Sequence, residues 1–271
     1  MTHYCSYSNL YRLCDNGGIA EAIRYINTFI KPRAPIPIEV FTHLVRECKN
    51  KRNLEMGRKV QTLIQESNVQ HHAKLSSQLI DMFSSCGSIQ EATQVFESFS
   101  KPHVYAWNAI ICAYMQNGLY EETMYLYVKM QGSNTYPTIE IFLSVLKACM
   151  NVLALSEGRL IHSDAIKQGI DQHLFIGSAL INMYSKCGSL VDSFIVFDTL
   201  PVRDSACWSA MICGCAQHGC NLEAFQYYRS MQEEGFGANI ATYLSMLKVC
   251  ASTCDFNKVR IFHMEIVKVG F

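Results

Sequence analysis

Four cysteines and a histidine fall within fourteen residues, CWSAMICGCAQHGC, at positions 207–220. Cys207, Cys213, Cys215, His218 and Cys220 are of the types that bind zinc as thiolate and imidazole. Their spacing argues against it. Cys213 and Cys215 are two apart, and on a helix their side chains point roughly 200° away from each other. They cannot meet one tetrahedral ion without unwinding the helix. Small buried thiols at close helix contacts explain the run instead. A second candidate is His263–Met264–Glu265, the H-x-E half of a zinc deaminase signature. The P-C-x-x-C half is not found, and only six residues follow Glu265. The chain has no glycine-rich phosphate loop, no nucleophile elbow and no Walker lysine. Carboxylates such as Glu121 and Glu122 fit solvated helix faces. The expectation is a binding protein, not an enzyme, with no metal and no cofactor.

Composition narrows what such a protein could bind. Of 271 residues, 49% are hydrophobic and only 17% charged, with 23 basic and 23 acidic side chains cancelling. Globular domains carry about a quarter charged residues. A neutral chain casts no global field toward nucleic acid or acidic membranes, so any such binding must come from local chemistry. The 13 cysteines are odd in number and evenly spread, which predicts reduced thiols in an intracellular or organellar compartment. No run approaches the eighteen apolar residues of a membrane span. The first residues, MTHYCSYSNLYRLCDNGG, have neither the Arg/Ser-rich amphipathic character of a transit peptide nor a secretory apolar core.

The elements that position these residues repeat. Trp107 and Trp208 are 101 residues apart, as are Cys112 and Cys213, Gly118 and Gly219, and Met130 and Met231. Cys48, Cys149 and Cys250 continue the step, and IEVF at 38–41 returns as IEIF at 139–142. The same step makes Cys207, Cys215, His218 and Cys220 equivalent to Ala106, Tyr114, Asn117 and Leu119, so the thiol cluster is not a repeated design. His263 likewise becomes the equivalent of His162, a second-helix residue. Within 101 residues lie sub-units of 35, 35 and 31 residues. Each is an apolar helical stretch, a Gly or polar break, and a second helix. Trp107, Ile110, Ile111 and Tyr114 keep i, i+3, i+4, i+7 spacing, and Thr123, Leu126, Tyr127 and Met130 form the next stripe. Gly118 suits the left-handed position that ends the first helix. A single hairpin cannot bury its apolar face, so the fold expected is all-α, a superhelical α-solenoid of about eight stacked helix-turn-helix repeats.

The alternation of lengths, with the signatures WNAII, SVLKAC and NMYSKCGSL, resembles the pentatricopeptide repeat (PPR) family of land plants, in particular its PLS subclass. The resemblance covers essentially the whole chain as a single array. P motifs fall at 3–37, 104–138 and 205–239, L motifs at 38–72, 139–173 and, truncated, 240–271, and S motifs at 73–103 and 174–204. The first P motif departs from the pattern, with Tyr7 where the others have Asn or Ser. A full motif from 240 would reach 274, so the chain is expected to be a fragment, a shortened product or a trimmed piece.

The resemblance implies binding of single-stranded organellar RNA, with no membrane and no DNA partner, in a mitochondrion or chloroplast. Each motif would take one base, read by its fifth and last residues. These pairs are Asn108 with Thr138, Ser178 with Asp204, Ser209 with Asn239, and Ser77 with His103. By the family's code they imply a pyrimidine, guanine, adenine and an unassigned base, or 5′-pyrimidine-N-G-A-3′ under residues 104–239. The second residues Tyr105 and Phe175 would stack on bases. The L motifs, with Thr42 or Leu143 fifth, His72 or His173 last, and Glu39 or Glu140 second, would act as spacers. Helix N-terminal capping by Ser and Asn is the competing explanation of the small polar positions. Three functions stay open: guiding C-to-U editing with a deaminase supplied by another chain, a role in splicing, cleavage or stability, and a protein-binding scaffold.

Overall fold

Apolar side chains three and four apart make each segment one-sided, and polar or glycine breaks cut the segments into pairs. In the computed structural model of the chain, residues 12, 18–30, 35–253 and 256–270 are described, and they form helices and turns with no strand among them. α1 (Ile19–Tyr25) continues into a π-helical turn (Ile26–Ile30). Seven hairpins follow, each with a first and a second helix. They are α2 (Ile38–Asn50) with α3 (Leu54–Glu66), α4 (Ala73–Ser85) with α5 (Ile89–Glu97), and α6 (Val104–Gln116) with α7 (Tyr120–Gly132). Next come α8 (Ile139–Val152) with α9 (Leu155–Lys167), α10 (Leu174–Lys186) with α11 (Leu190–Thr199), α12 (Ser205–Gln217) with α13 (Asn221–Glu233), and α14 (Ile240–Ser252) with α15 (Phe256–Val269). No helix among the described residues is long and apolar enough to cross a membrane.

The expected stripes become buried faces. Trp107, Ile110 and Ile111 are buried on α6 and Tyr114 half-buried, while Thr123, Leu126, Tyr127 and Met130 are all buried on α7. Gly118 stands between them at φ 77°, a conformation that costs a β-carbon dearly. The Gly118 and Leu119 N–H groups donate back to the Met115 and Tyr114 carbonyls, closing the helix.

The chain divides into two compact units, residues 1–141 and 142–271. In the first, α2 lies against α4 and α4 against α6, while α3, α5 and α7 each pack on the first helix of their own hairpin. Leu44, Leu79, Ile80, Phe83 and Ile110 fill the space between the two layers. In the second, α10, α12 and α14 lie side by side, with α11, α13 and α15 behind them. Leu180, Ile181, Met211, Ile212 and Met246 are buried there. Each such side chain contributes about 1.5–3 kcal/mol by leaving water. In the first unit the layering leaves one edge of α2, α4 and α6 open, with Glu39, Thr42, Ser77, Tyr105 and Asn108 along it.

Candidate functional site

Neighbouring first helices touch through their buried faces and part at the outer edge. In the first unit this opens a cleft of about 300 Å³ between α4 and α6, lined by Ser77, Gln78 and Asp81 on one side and Tyr105, Asn108 and Cys112 on the other. A second cleft, about 330 Å³, lies between α2 and α4 and holds Glu39, Thr42, His43 and Arg46 opposite His72 and Lys74. The fifth residues of two successive motifs, Ser77 and Asn108, therefore face one space, with the Tyr105 ring beside them. Tyr105 is 65% exposed and Phe175 61%, large aromatic rings left outside the core at both expected stacking positions.

The last residue of a motif immediately precedes the next first helix, and this decides its bonds. His103 Nδ1 accepts from the Ala106 N–H at 3.1 Å, Asp204 Oδ1 from Cys207 at 2.9 Å and Asn239 Oδ1 from Thr242 at 3.0 Å. All three are N-caps, satisfying donors that a helix start leaves open. For His103 this requires the neutral ring, and burial holds its pKa below the usual imidazole value. The capping role weighed for the fifth residues thus falls on the last ones. Ser77 and Ser178 instead turn their hydroxyls back to the carbonyls of Lys74 and Phe175, at 2.9 and 3.2 Å. That use of the hydrogen leaves the oxygen lone pairs directed outward.

Only one fifth–last pair is joined by a direct hydrogen bond among the described residues. Asn239 Nδ2 donates to Ser209 Oγ at 3.0 Å, Thr242 Oγ1 donates to the same oxygen at 2.8 Å, and Ser209 Oγ donates to the Ser205 carbonyl at 2.6 Å. Ser209 is only 6% exposed. Ser209 was expected to face a ligand directly, but its hydroxyl is occupied on every side, and the exposed group of the pair is the Asn239 amide. Asn108, half-buried, accepts a weak bond from Cys112 Sγ at 3.7 Å, and Thr138 stands half-buried just ahead of α8. His103 reaches Ser76 Oγ at 3.3 Å, not Ser77. His72 and His173, which stand just ahead of α4 and α10, make no capping bond. Sequence reasoning missed Thr242. Its signal is the N-x-x-T spacing from Asn239, a polar residue at the third helix position able to bond back to its cap.

The thiol-rich stretch disperses. Cys207 and Cys215 are buried, and burial pushes their pKa values up to about 11 and about 12, which keeps both protonated. Cys213 donates to the Ala241 carbonyl at 3.7 Å, and the His218 ring contacts the Ser185 carbonyl at 2.7 Å. No group of three or more His, Cys, Asp or Glu among the described residues could hold a metal ion. His263 is exposed on α15, while Glu265 accepts from the Tyr228 hydroxyl at 2.7 Å.

Known proteins with this architecture can now be set beside it. The PPR repeat family matches residues 203–252 and the PPR repeat matches residues 105–135. A chloroplastic pentatricopeptide repeat-containing protein of Arabidopsis thaliana is 30% identical over 271 residues, 100% of this chain and 31% of its own length. Another chloroplastic one from the same plant is 34% identical over 210 residues, covering 78% of this chain and 34% of the relative. A putative mitochondrial one is 27% identical over 257 residues, 95% of this chain and 40% of the relative. The chain thus spans about a third of the length of the first two. Among solved structures, the pentatricopeptide repeat protein PPR10, crystallised with an 18-nt psaJ RNA element, superposes with a TM-score of 0.75 at 15% identity, over 96% of this chain and 39% of that one. That likeness is one of fold, an all-α solenoid of helical hairpins. By their names the first two relatives are chloroplastic and the third mitochondrial. Repeat matches within both units show pentatricopeptide repeats at residues 105–135 and 203–252, and along its whole length the chain is similar to pentatricopeptide repeat proteins.

Proposed function

We propose that the chain binds single-stranded RNA along the uncovered edge of its first helices, one base per reading motif. The observation that carries this is the cleft in which Ser77, Asn108 and the exposed Tyr105 ring stand together. Small polar groups from adjacent helices beside a bare aromatic face suit a base, which needs edge hydrogen bonds and a stacking surface. PPR10 with its bound RNA element, alike in fold, supports the same reading. The motifs are assigned to the P, L and S types at the boundaries given above, and the array to C-to-U editing, with the deaminase on another chain. The pairs Asn108–Thr138, Ser178–Asp204 and Ser209–Asn239 would select a pyrimidine, guanine and adenine, with Ser77–His103 reading an unassigned base and Phe175 stacking. In the last pair Asn239 makes the contact and Ser209 holds it from beneath.

The test is selection from a randomised single-stranded RNA pool. Adenine should be enriched opposite Asn239, and the preference should fall about tenfold, roughly 1.4 kcal/mol, in both Asn239→Ala and Ser209→Ala. Enrichment that ignores both substitutions refutes the base assignment. A chain that enriches no RNA refutes the RNA reading and favours a protein-binding scaffold.

A further inference from the structure

The L motifs lack reading and stacking residues, yet their first helices carry a charge pattern of their own. Arg46, Lys147 and Lys248 stand at 101-residue steps, each the ninth residue of its L motif. The ninth residues of the S motifs are Asp81 and Asn182, and those of the P motifs Tyr11, Cys112 and Cys213, so the cation belongs to the L type alone. Position nine lies one helical turn, about 6 Å, beyond the fifth residue on the same edge. In the first unit Asp81 and Cys112 line the cleft that holds Ser77 and Asn108, and Arg46 lines the cleft that holds Thr42. All three cations are exposed, and among the described residues none pairs with a carboxylate. On the second helices Arg58, Lys59, Arg159, Lys167 and Arg229 pair with acids, while among the described residues Lys129 does not. Asp81, which lines the neighbouring cleft, is occupied by Lys49 at 2.6 Å.

The surroundings of Arg46 fit an anion. Lys74 faces it across the cleft, and His43 Nδ1 lies 2.7 Å from the Arg46 guanidinium. Glu39 is the one carboxylate in the lining, seven residues and about 10 Å back along α2. Two fixed positive charges against one negative leave the cleft cationic in a chain whose net charge is zero. Resting on the RNA reading above, we infer that the L motifs are phosphate anchors: Arg46, Lys147 and Lys248 each hold a backbone phosphodiester, while P and S motifs hold the bases. A guanidinium or ammonium donates to phosphate oxygens without regard to sequence, which is what a motif lacking a base-reading pair can contribute. The L motifs are then working parts of the binding surface, not spacers.

The experiment uses the full chain and one RNA, the sequence enriched by the wild type from a randomised single-stranded pool. Affinity is measured between 50 and 400 mM salt for the wild type and for Arg46→Gln/Lys147→Gln/Lys248→Gln. Each phosphate contact contributes about 0.7 to the log–log salt slope on single strands, so the triple variant should lose about 2. It should still prefer the same bases. A control removing the paired cations Lys59, Lys167 and Arg229 should leave the slope unchanged. An unaltered slope in the triple variant, or an equal loss in the control, overturns the phosphate assignment and leaves RNA binding standing. No binding by the wild type overturns the RNA reading itself.

Discussion

Residues 57–117 of the first unit and 158–218 of the second are two versions of one stretch, offset by 101 residues. Several scaffold contacts recur in both, including contacts to the helix that precedes each stretch. Arg58 pairs with Glu91, and Arg159 with Asp192. Cys86 Sγ donates to the Cys48 carbonyl at 3.8 Å, and Cys187 Sγ to that of Cys149 at 3.7 Å. Asn117 Nδ2 donates to Ser84 Oγ, while the His218 ring meets the Ser185 carbonyl, so the partner residue keeps its place though the atoms change. Along the uncovered edge the match fails. Tyr105 and Asn108 line an open cleft, whereas their equivalents are Ala206 and the buried Ser209. Hairpin stacking dictates the interior, because a helix pair closes only when certain positions are filled in certain ways. The edge is under no such constraint and is free to differ between motifs.

Removing a shared interior residue should give the largest effect. Trp107 packs edge-on to Phe96 at 4.7 Å between ring centres, and Trp208 to Phe197 at 4.9 Å. Neither indole N–H meets an acceptor, so each ring is there for its area and its edge. Truncation to alanine should cost about 3–5 kcal/mol at either site. The two are not equal, however. Tyr227 adds a ring 5.2 Å from Phe197 and 6.2 Å from Trp208, and the Arg203 guanidinium lies 4.8 Å over Phe197. Their equivalents are Leu126 and Pro102. Trp208→Ala should therefore exceed Trp107→Ala by about 1 kcal/mol in denaturant unfolding of the full chain. A reversed order would mean that equivalence at 101 residues does not carry equivalent packing.

How much of this the sequence discloses follows the same division. The recurrence of Trp, Cys and Gly at one offset makes the hairpins legible, because interior contacts demand particular residue types at particular places. The stripe on α6 and the glycine that ends it were readable in this way. The dispersal of the thiols was readable too, from the angle between Cys213 and Cys215. What the sequence could not disclose was which of two small polar residues a hydrogen bond would occupy. Ser209 and Ser178 look alike as letters and hold the same motif position. Thr242 follows Asn239 on the next helix and closes over Ser209, whereas among the described residues the Ser178 hydroxyl meets its own helix at the Phe175 carbonyl. The exposure of a polar group depends on its neighbour across a hairpin, and no periodicity records that.

The caps give a smaller contrast, and one that responds to pH. His103 and Asp204 hold equivalent positions ahead of α6 and α12. Asp204→Ala should cost about 1 kcal/mol, the usual worth of an N-cap. His103 caps only while neutral, and burial lowers its pKa from 6.5. A lowered histidine pKa stabilises the fold fully above the unfolded value, and the stability is lost as pH falls through the folded one. The chain should therefore lose stability from about pH 6.5 downward, and less steeply in His103→Asn, where the amide caps without titrating. His162, also lowered by burial, supplies a background common to both proteins. Equal slopes for wild type and His103→Asn would show that the histidine does not differ from a fixed cap.

The smallest effect separates the hairpins by their turns. The hairpins that begin with α4, α6, α10 and α12 end their first helices on Gly87, Gly118, Gly188 and Gly219, all at positive φ. In those that begin with α2 and α8 the left-handed residue is Arg52 at φ 48° and Leu153 at φ 57°. A side chain there costs about 1–2 kcal/mol, since Cβ crowds the following carbonyl. Leu153 is 63% exposed, so its side chain returns little by packing. Leu153→Gly relieves the crowding but enlarges the freedom of the unfolded chain by about 0.5–1 kcal/mol. The net expectation is a gain of about 0.5–1 kcal/mol and a small rise in Tm. Gly118→Ala, the opposite exchange at the α6–α7 turn, should lower stability by a similar amount. If both substitutions destabilise, the leucine makes contacts at its turn that offset its backbone, and the α8–α9 hairpin would differ from the others in packing as well as in backbone.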